Sequence, residues 1–227
     1  MRLMKKIILT ASLLSVLIAP AGAGSIHAFN SGMNCNGVRK LPNTNQTYCY
    51  SNDATPVAGT CPNGNAGQDG EYQTAVSSPS YTIISDRSVA HSSVTLDNIT
   101  GLMWITNPAT DAGFNNPAYA GDWGTALTSC TVTMNTFNGG KGYAGYTDWR
   151  LPNANELMSI VDYGTAATAK INGTYFPACV AGWYFSSTSL PHYPTYKWVV
   201  DFTTGQLAAN TYSQGGIAHY IRCVRGP

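Results

Sequence analysis

Charge is what this sequence has least of. Asp, Glu, Lys and Arg make up 10% of its 227 residues, against roughly a quarter in an ordinary soluble domain. With so few cations there is no basic stripe, which argues against nucleic acid as a main partner. Only two glutamates, Glu71 and Glu156, stand beyond residue 23, so a glycosidase carboxylate pair would have to draw on Asp. The cysteine spacings match no compact metal motif. "GNAGQDG" and "NGGKG" are too loose for phosphate loops. His91 and His219 lie in or beside strand-like segments and His192 in a loop, and no nucleophile–base pair stands out. No catalytic residue, metal site or cofactor is expected.

A long apolar run is also missing beyond the N-terminus. The one that exists, "IILTASLLSVLIA", has 13 residues, too short to span a bilayer comfortably. Arg2, Lys5 and Lys6 precede it and the small residues "AGA" at 21–23 follow it. Residues 1–23 therefore read as a secretory signal peptide, cleaved after Ala23, with Ala28 as the alternative. Cys35 lies 12 residues past Ala23, too far for a lipid anchor at a new N-terminus. Removing three cations from 12 leaves 9 against 11 acids, a net charge near −2. What is abundant is Gly, Asn, Ser, Thr and Tyr, the palette of an exported protein with a polar, uncharged surface. The expected location is the medium or the cell surface, with the periplasm as a variant, and no stable membrane span. All six cysteines follow the cleavage point, and an even count in an exported chain points to disulfides.

Residues 24–80 are rich in turn formers and poor in apolar clusters, and read as an irregular N-terminal arm. Cys49 and Cys61 bracket a loop of turn residues, and a bridge between them would staple a segment that cannot build its own core. From Tyr81 a domain begins and runs to residue 227. "YTII" and "SSVTL" read as a hairpin, Thr100-Gly101 as a turn and Leu102–Ile105 as a strand. Residues 122–137 read as a helix whose threonines weaken it. Pro152 closes a Gly-rich loop, Asn153 with Glu156 forms a capping box, and 154–163 reads as a short helix with Leu157, Ile160 and Val161 on one stripe. "GWYFSSTS", "YKWVVDF", "GQLAANTY" and "AHYIRCVR" read as strands. In the last, Tyr220, Arg222 and Val224 share one face and Ile221 and Cys223 the other. The class is α+β.

"DNITGLMW", a helix with a central Cys130, "DWRLPNANEL", "WYFSSTS", "WVVDFTTG" and "YIRCVR" stand in one order. Together they resemble the Lcl C-terminal domain family, named after the C-terminal domain of a bacterial collagen-like adhesin. "NQTYCY" and "GQDGEYQ" resemble the lead-in segment of its members, so the likeness covers residues 43–225. It implies a C-type lectin-like fold, two helices flanking a small twisted antiparallel sheet with long loops. In that fold the first helix and the last strand are neighbours, which implies a Cys130–Cys223 bridge and leaves Cys35 with Cys179. The Arg-Leu-Pro turn also resembles sulfatase-modifying-factor domains. Their chemistry uses two closely spaced cysteines, whereas Cys179 and Cys223 stand 44 residues apart. The Glu-Pro-Asn or Gln-Pro-Asp tripeptide of calcium-dependent lectins is absent, so that mechanism does not carry over.

Asp148, Trp149, Arg150, Pro152 and Glu156 form either a ligand site or a scaffold corner. The corner is the plainer reading, with Trp149 in the core and Arg150 tying carboxylates or carbonyls, Glu156 among them. Asp97, Asp111 and Asp122 could offer oxygens to a calcium ion, though solvated loop acids are the simpler account. The ligand-binding candidates are Tyr184, His192, Tyr193, Tyr196, Asn210, Tyr212, Gln214 and His219, beside Trp183. Aromatic rings stack on apolar sugar faces and amides answer hydroxyls, and the same palette serves protein recognition. The competing reading places Trp183 and Trp198 in the core with the tyrosines half-buried. The expected function is a non-enzymatic, exported recognition or adhesion module for a glycan or a surface protein. For a sulfated glycan, Arg39, Lys40, Lys141, Lys170 and Lys197 would have to cluster. The rivals are a subunit of a filament or homo-oligomer, and a display scaffold with diversified C-terminal loops.

Overall fold

Strand-forming residues here alternate between two interiors rather than between interior and water. A computed structural model describes residues 42–46, 49–50, 56–57, 68–69, 78–85, 93–108, 119–120, 122–211 and 219–226. All lie within one compact unit, Ser31–Pro227. The strands are β1 (Cys49–Tyr50), β2 (Pro56–Val57), β3 (Tyr81–Ser85), β4 (Ser93–Asp97), β5 (Met103–Ile105), β6 (Tyr119–Ala120), β7 (Trp183–Ser189), β8 (Tyr196–Asp201), β9 (Gln206–Thr211), β10 (His219–Tyr220) and β11 (Val224–Arg225). β1 and β2 form a separate ribbon. An antiparallel sheet runs β11-β5-β4-β3, and a mixed sheet runs β6-β10-β7-β8-β9 with β10 parallel to β7. With helices packed on these sheets, the architecture is α+β.

Neighbouring side chains on one strand point to opposite faces, and here each face has its own core. Ile105, Phe185, Val199, Ile221 and Cys223 join Ala126, Cys130, Met134 and Trp149 in one cluster. Trp104, Tyr184, Val200 and Val224 join Leu157, Ile160, Val161, Ile171 and Phe176 in the other. The first cluster lies under the long helix, and the second under the short helix and the loop that follows it.

The long helix is α1 (Trp123–Thr128), a π-helical stretch (Ser129–Thr133) and α2 (Met134–Gly140) in sequence. Asp122 caps its start, accepting the Thr125 amide at 2.7 Å. Thr131 and Thr136 donate their hydroxyls to the carbonyls of Leu127 and Val132, each at 2.8 Å. Such back-bonding competes with the helical ladder and bends it, and the wide π turn falls among these residues. The helix unwinds from Phe137, because Asn138, Gly139 and Gly140 take positive φ. This agrees closely with the expected 122–137.

The second helix is shorter than its apolar stripe suggests. α3 spans Ala154–Met158, not 154–163. The Ser159 hydroxyl donates to the Glu156 carbonyl at 2.7 Å and Val161 turns back to Met158. Leu157, Ile160 and Val161 are buried all the same. The last segment differs more. It is not one strand but two: β10 lies in the mixed sheet between β6 and β7 and β11 joins the antiparallel one, with 221–223 crossing between them. The alternation survives the crossing, but both faces are covered, so Ile221, Arg222, Cys223 and Val224 are all buried.

Of residues 24–80, Thr44 and Asn45 lie on the loop after the second core. Tyr163 N–H donates to the Thr44 carbonyl at 3.0 Å. Gly164 is held so close that a Cβ would stand 2.1 Å from the Asn45 carbonyl oxygen, so only glycine fits there. Among the described residues no helix is long and apolar enough to cross a membrane.

Candidate functional site

The Asp148–Glu156 run is a corner joined to three elements. Trp149 is buried. Its amide donates to Asn135 Oδ1 at 2.7 Å and its indole N–H to the Tyr143 carbonyl at 2.9 Å, while Asn135 Nδ2 donates to its carbonyl at 3.0 Å. These bonds fasten the corner to α2. Arg150 and Val224 exchange both backbone bonds at 2.9 Å, fastening it to β11. Ser187 N–H donates to the Pro152 carbonyl at 2.7 Å, fastening it to β7. The Arg150 guanidinium grips Glu156 through two bonds of 2.7 Å, which raises the Arg150 pKa. Glu156 also accepts the Asn153 amide at 2.8 Å, and Asn153 accepts the Glu156 amide at 2.9 Å. Asp148 takes the Arg225 fork at 2.7 and 3.1 Å, and Arg225 stacks 3.8 Å over Tyr146. The hydrogen bonds from Arg225 hold the Asp148 carboxyl below its ordinary range. Each polar group named here answers another within the chain, which is the work of a scaffold.

The ligand candidates separate into interior and surface. Tyr184 is interior: its hydroxyl accepts the Val180 amide at 3.0 Å and the Cys179 thiol at 3.4 Å. Its ring packs on Phe202 and Tyr220, and burial pushes its pKa up. His219 is interior too, stacked 4.4 Å from Phe185 with its Nε2 3.3 Å from Asn210 Nδ2. Both were expected at the surface. Their strands carry residues that alternate correctly, but the second face meets a second core. Asn210 is half-buried. Tyr212 and Gln214 lie outside the described residues, as do His91, Arg39, Lys40 and Asp111.

What remains exposed is the tip joining β7 to β8. The register slips between Phe185 and Ser189, then resumes at Ser189↔Lys197. Beyond it the chain folds on itself: Leu190 N–H donates to the Tyr196 carbonyl at 3.0 Å and Tyr196 N–H to the Tyr193 carbonyl at 2.9 Å. His192 sits at φ 67°, a left-handed position that turns the chain outward. Tyr193 is 61% exposed and Tyr196 37%, with ring centres 6.3 Å apart and planes at 82°. Lys197 supports the tip from beneath. Its Nζ donates to the Pro194 carbonyl at 2.7 Å and Ser189 Oγ at 3.1 Å, and lies 4.2 Å over the Trp123 ring. Trp123 in turn donates its indole N–H to the Ser186 carbonyl at 2.8 Å. Lys197 and Trp123 were not anticipated as supports. The available signal was that Lys197 shares the inward face of β8 with Val199.

Cys130 and Cys223 are bonded, with Cα atoms 5.4 Å apart. Cys179, expected to pair with Cys35, is a free thiol facing Tyr184, and Cys35 lies outside the described residues. Cys61, the expected partner of Cys49, also lies outside them. Asp97 accepts the Ile99 amide at 2.9 Å and the Thr100 hydroxyl at 2.6 Å, so this acid, like Asp122, serves a local turn. Among the described residues no cluster of His, Cys, Asp or Glu is placed to hold a metal.

The family model described as the Lcl C-terminal domain matches residues 93–225, from β4 to β11. No curated protein matches the chain.

Proposed function

The chain belongs to the Lcl C-terminal domain family, and from that premise we propose an exported, non-enzymatic recognition module of C-type lectin-like fold. It binds a neutral glycan or a sugar-bearing surface protein through the β7–β8 tip. One observation carries the reading: Tyr193 and Tyr196 are presented to solvent, 61% and 37% exposed, on a turn held from below. Tyrosine offers large, amphipathic contact area at low rotamer cost, and its ring stacks on the C–H face of a sugar. His192 stands beside them to answer hydroxyls.

The choice of a neutral ligand rests on Lys170 and Lys197, two of the cations that a sulfated glycan would need. Lys197 is buried and answered by two oxygens and an indole face. Lys170 donates to the carbonyls of Thr165 and Ala167. Neither head group is offered to a sulfate. Residues 1–23 direct export in this proposal, and the Cys130–Cys223 bond suits an oxidising compartment.

Binding to immobilised oligosaccharides tests the proposal. The wild-type chain binds at least one neutral glycan. Tyr193→Ala and Tyr196→Ala each weaken it by about 1.4–2.8 kcal/mol, roughly ten- to a hundred-fold, without lowering the melting temperature. Passage of the wild type over both neutral and sulfated arrays without retention, or undiminished binding by the double variant, overturns it.

A further inference from the structure

β3 closes the antiparallel sheet, with β4 on one side and no strand on the other among the described residues. Tyr81 at its start is buried, but Thr82, Ile83, Ile84 and Ser85 are all exposed. Ile83 is 41% and Ile84 39% exposed. Being adjacent, they occupy opposite faces of the strand. The strand carries no charge and no proline, and its pairing with β4 runs without a slip from Tyr81↔Asp97 to Ser85↔Ser93. Charge, proline and a bulge, three devices that ordinarily blunt an open edge, are therefore missing from the strand itself.

The direction of the backbone groups follows from the neighbouring pair. Asn98 N–H donates to the Ser80 carbonyl at 2.8 Å, so even-numbered residues face β4 and odd-numbered residues face away. On β4, Asp97 donates to Leu102 and the Ser93 carbonyl accepts from Thr106, which confirms that phase from the other side. Ile83 and Ser85 thus aim their amides and carbonyls outward.

We propose that this edge is where the chain associates with a second copy of itself, β3 against β3 antiparallel, about a two-fold axis at Ile83. Outward groups must meet outward groups, so odd residues must pair with odd. Centring on Ile83 does this along the whole strand: Ile83 meets its own counterpart and Tyr81 meets Ser85 of the other copy. The exposed isoleucines are covered together. Ile83 lies against the second Ile83 on one face, and Ile84 against Thr82 on the other. No charge has to be buried, and one strand supplies both halves of the contact. A two-fold contact closes on itself and gives a dimer rather than a fibre. Its small area makes the association weak and dependent on concentration.

Engineered cysteines test the register in the purified full chain. Paired residues at the axis have Cα atoms roughly 5.5 Å apart, within disulfide reach. Under mild oxidation at high concentration, Ile83→Cys forms a covalent dimer on a non-reducing gel. Thr82→Cys, which would face Ile84, stays at the wild-type background. Sedimentation of the wild type shows dimer growing with concentration. Ile83→Lys, which places two cations at the axis, weakens it at least ten-fold with an unchanged melting curve. A wild type that stays monomeric at every concentration, as when residues 24–77 or another protein cover the edge, overturns the proposal. So does equal cross-linking from positions 82 and 83.

Discussion

Arg222 shows what a single residue can conceal. Its position in "YIRCVR" assigns it to the face of Tyr220 and Val224, and that is where it lies, 5.3 Å over the Phe176 ring. The alternation does not reveal that this face is closed. The side chain is fully buried, giving Nη1 to the carbonyls of Ile105 at 2.8 Å and Thr106 at 3.2 Å, while Nε and Nη2 find no partner among the described residues. Tyr184 and His219 escaped a sequence reading for the same reason. Period two tells which residues share a face, not what covers it. Tyr193 was legible because turn residues surround it and Pro191 and Pro194 keep it out of a central strand.

The buried tyrosines carry a pH signature. Tyr81 and Tyr184 are both raised above the ordinary value of 10.0, chiefly by burial, and Tyr81 further by the charges of Asp97 and Asp162. Below pH 10 both are neutral, folded or unfolded, and add no pH dependence. Above it the unfolded chain releases protons that the folded chain keeps, so stability falls as pH rises. The slope is up to about 1.4 kcal/mol per pH unit for each tyrosine. Urea unfolding between pH 8 and 11 should be flat to about 10 and then decline. Tyr184→Phe should remove one tyrosine's share of the decline, and an unchanged slope would contradict this assignment.

Among the elements, the short helix α3 was readable at its start and not at its end. Asn153 and Glu156 announce the cap, and both reciprocal bonds are present. Its end is set by the Ser159 hydroxyl bonding back to Glu156, a choice that a continuing apolar stripe hides. The terminal segment was readable as strand but not as two strands in two sheets, because the crossing at 221–223 keeps the same alternation. Only the family resemblance implied that the first helix and this segment are neighbours. Their bond, Cys130–Cys223, links positions 93 residues apart. In the chain-entropy model that constraint stabilises by about 4.6 kcal/mol. Replacing both cysteines with serine should therefore lower the unfolding free energy by that order, measured by denaturant titration. Reductant should lower the stability of the wild type by at least as much. A loss under about 1 kcal/mol would show that helix and terminus are held by packing alone.

At the scale of the molecule, two cores share one set of strands, and the corner at Asp148–Glu156 locks the long helix, β7 and β11 together. That arrangement leaves the β7–β8 tip free to differ without disturbing what lies below it. Composition foresaw a sparsely charged, cross-linked body, and the Cys130–Cys223 bond is present. It did not foresee which aromatics would face outward, since Tyr184 and Tyr193 are the same residue type in neighbouring stretches. The central claim is that a rigid body presents a recognition tip, and amide chemical-shift mapping during titration with a neutral oligosaccharide tests it most directly. The account predicts shifts confined to residues 189–197 and the Trp123 indole, with the resonances of both cores still. Shifts gathered at the Asp148–Glu156 corner, or spread through the two cores, would contradict it.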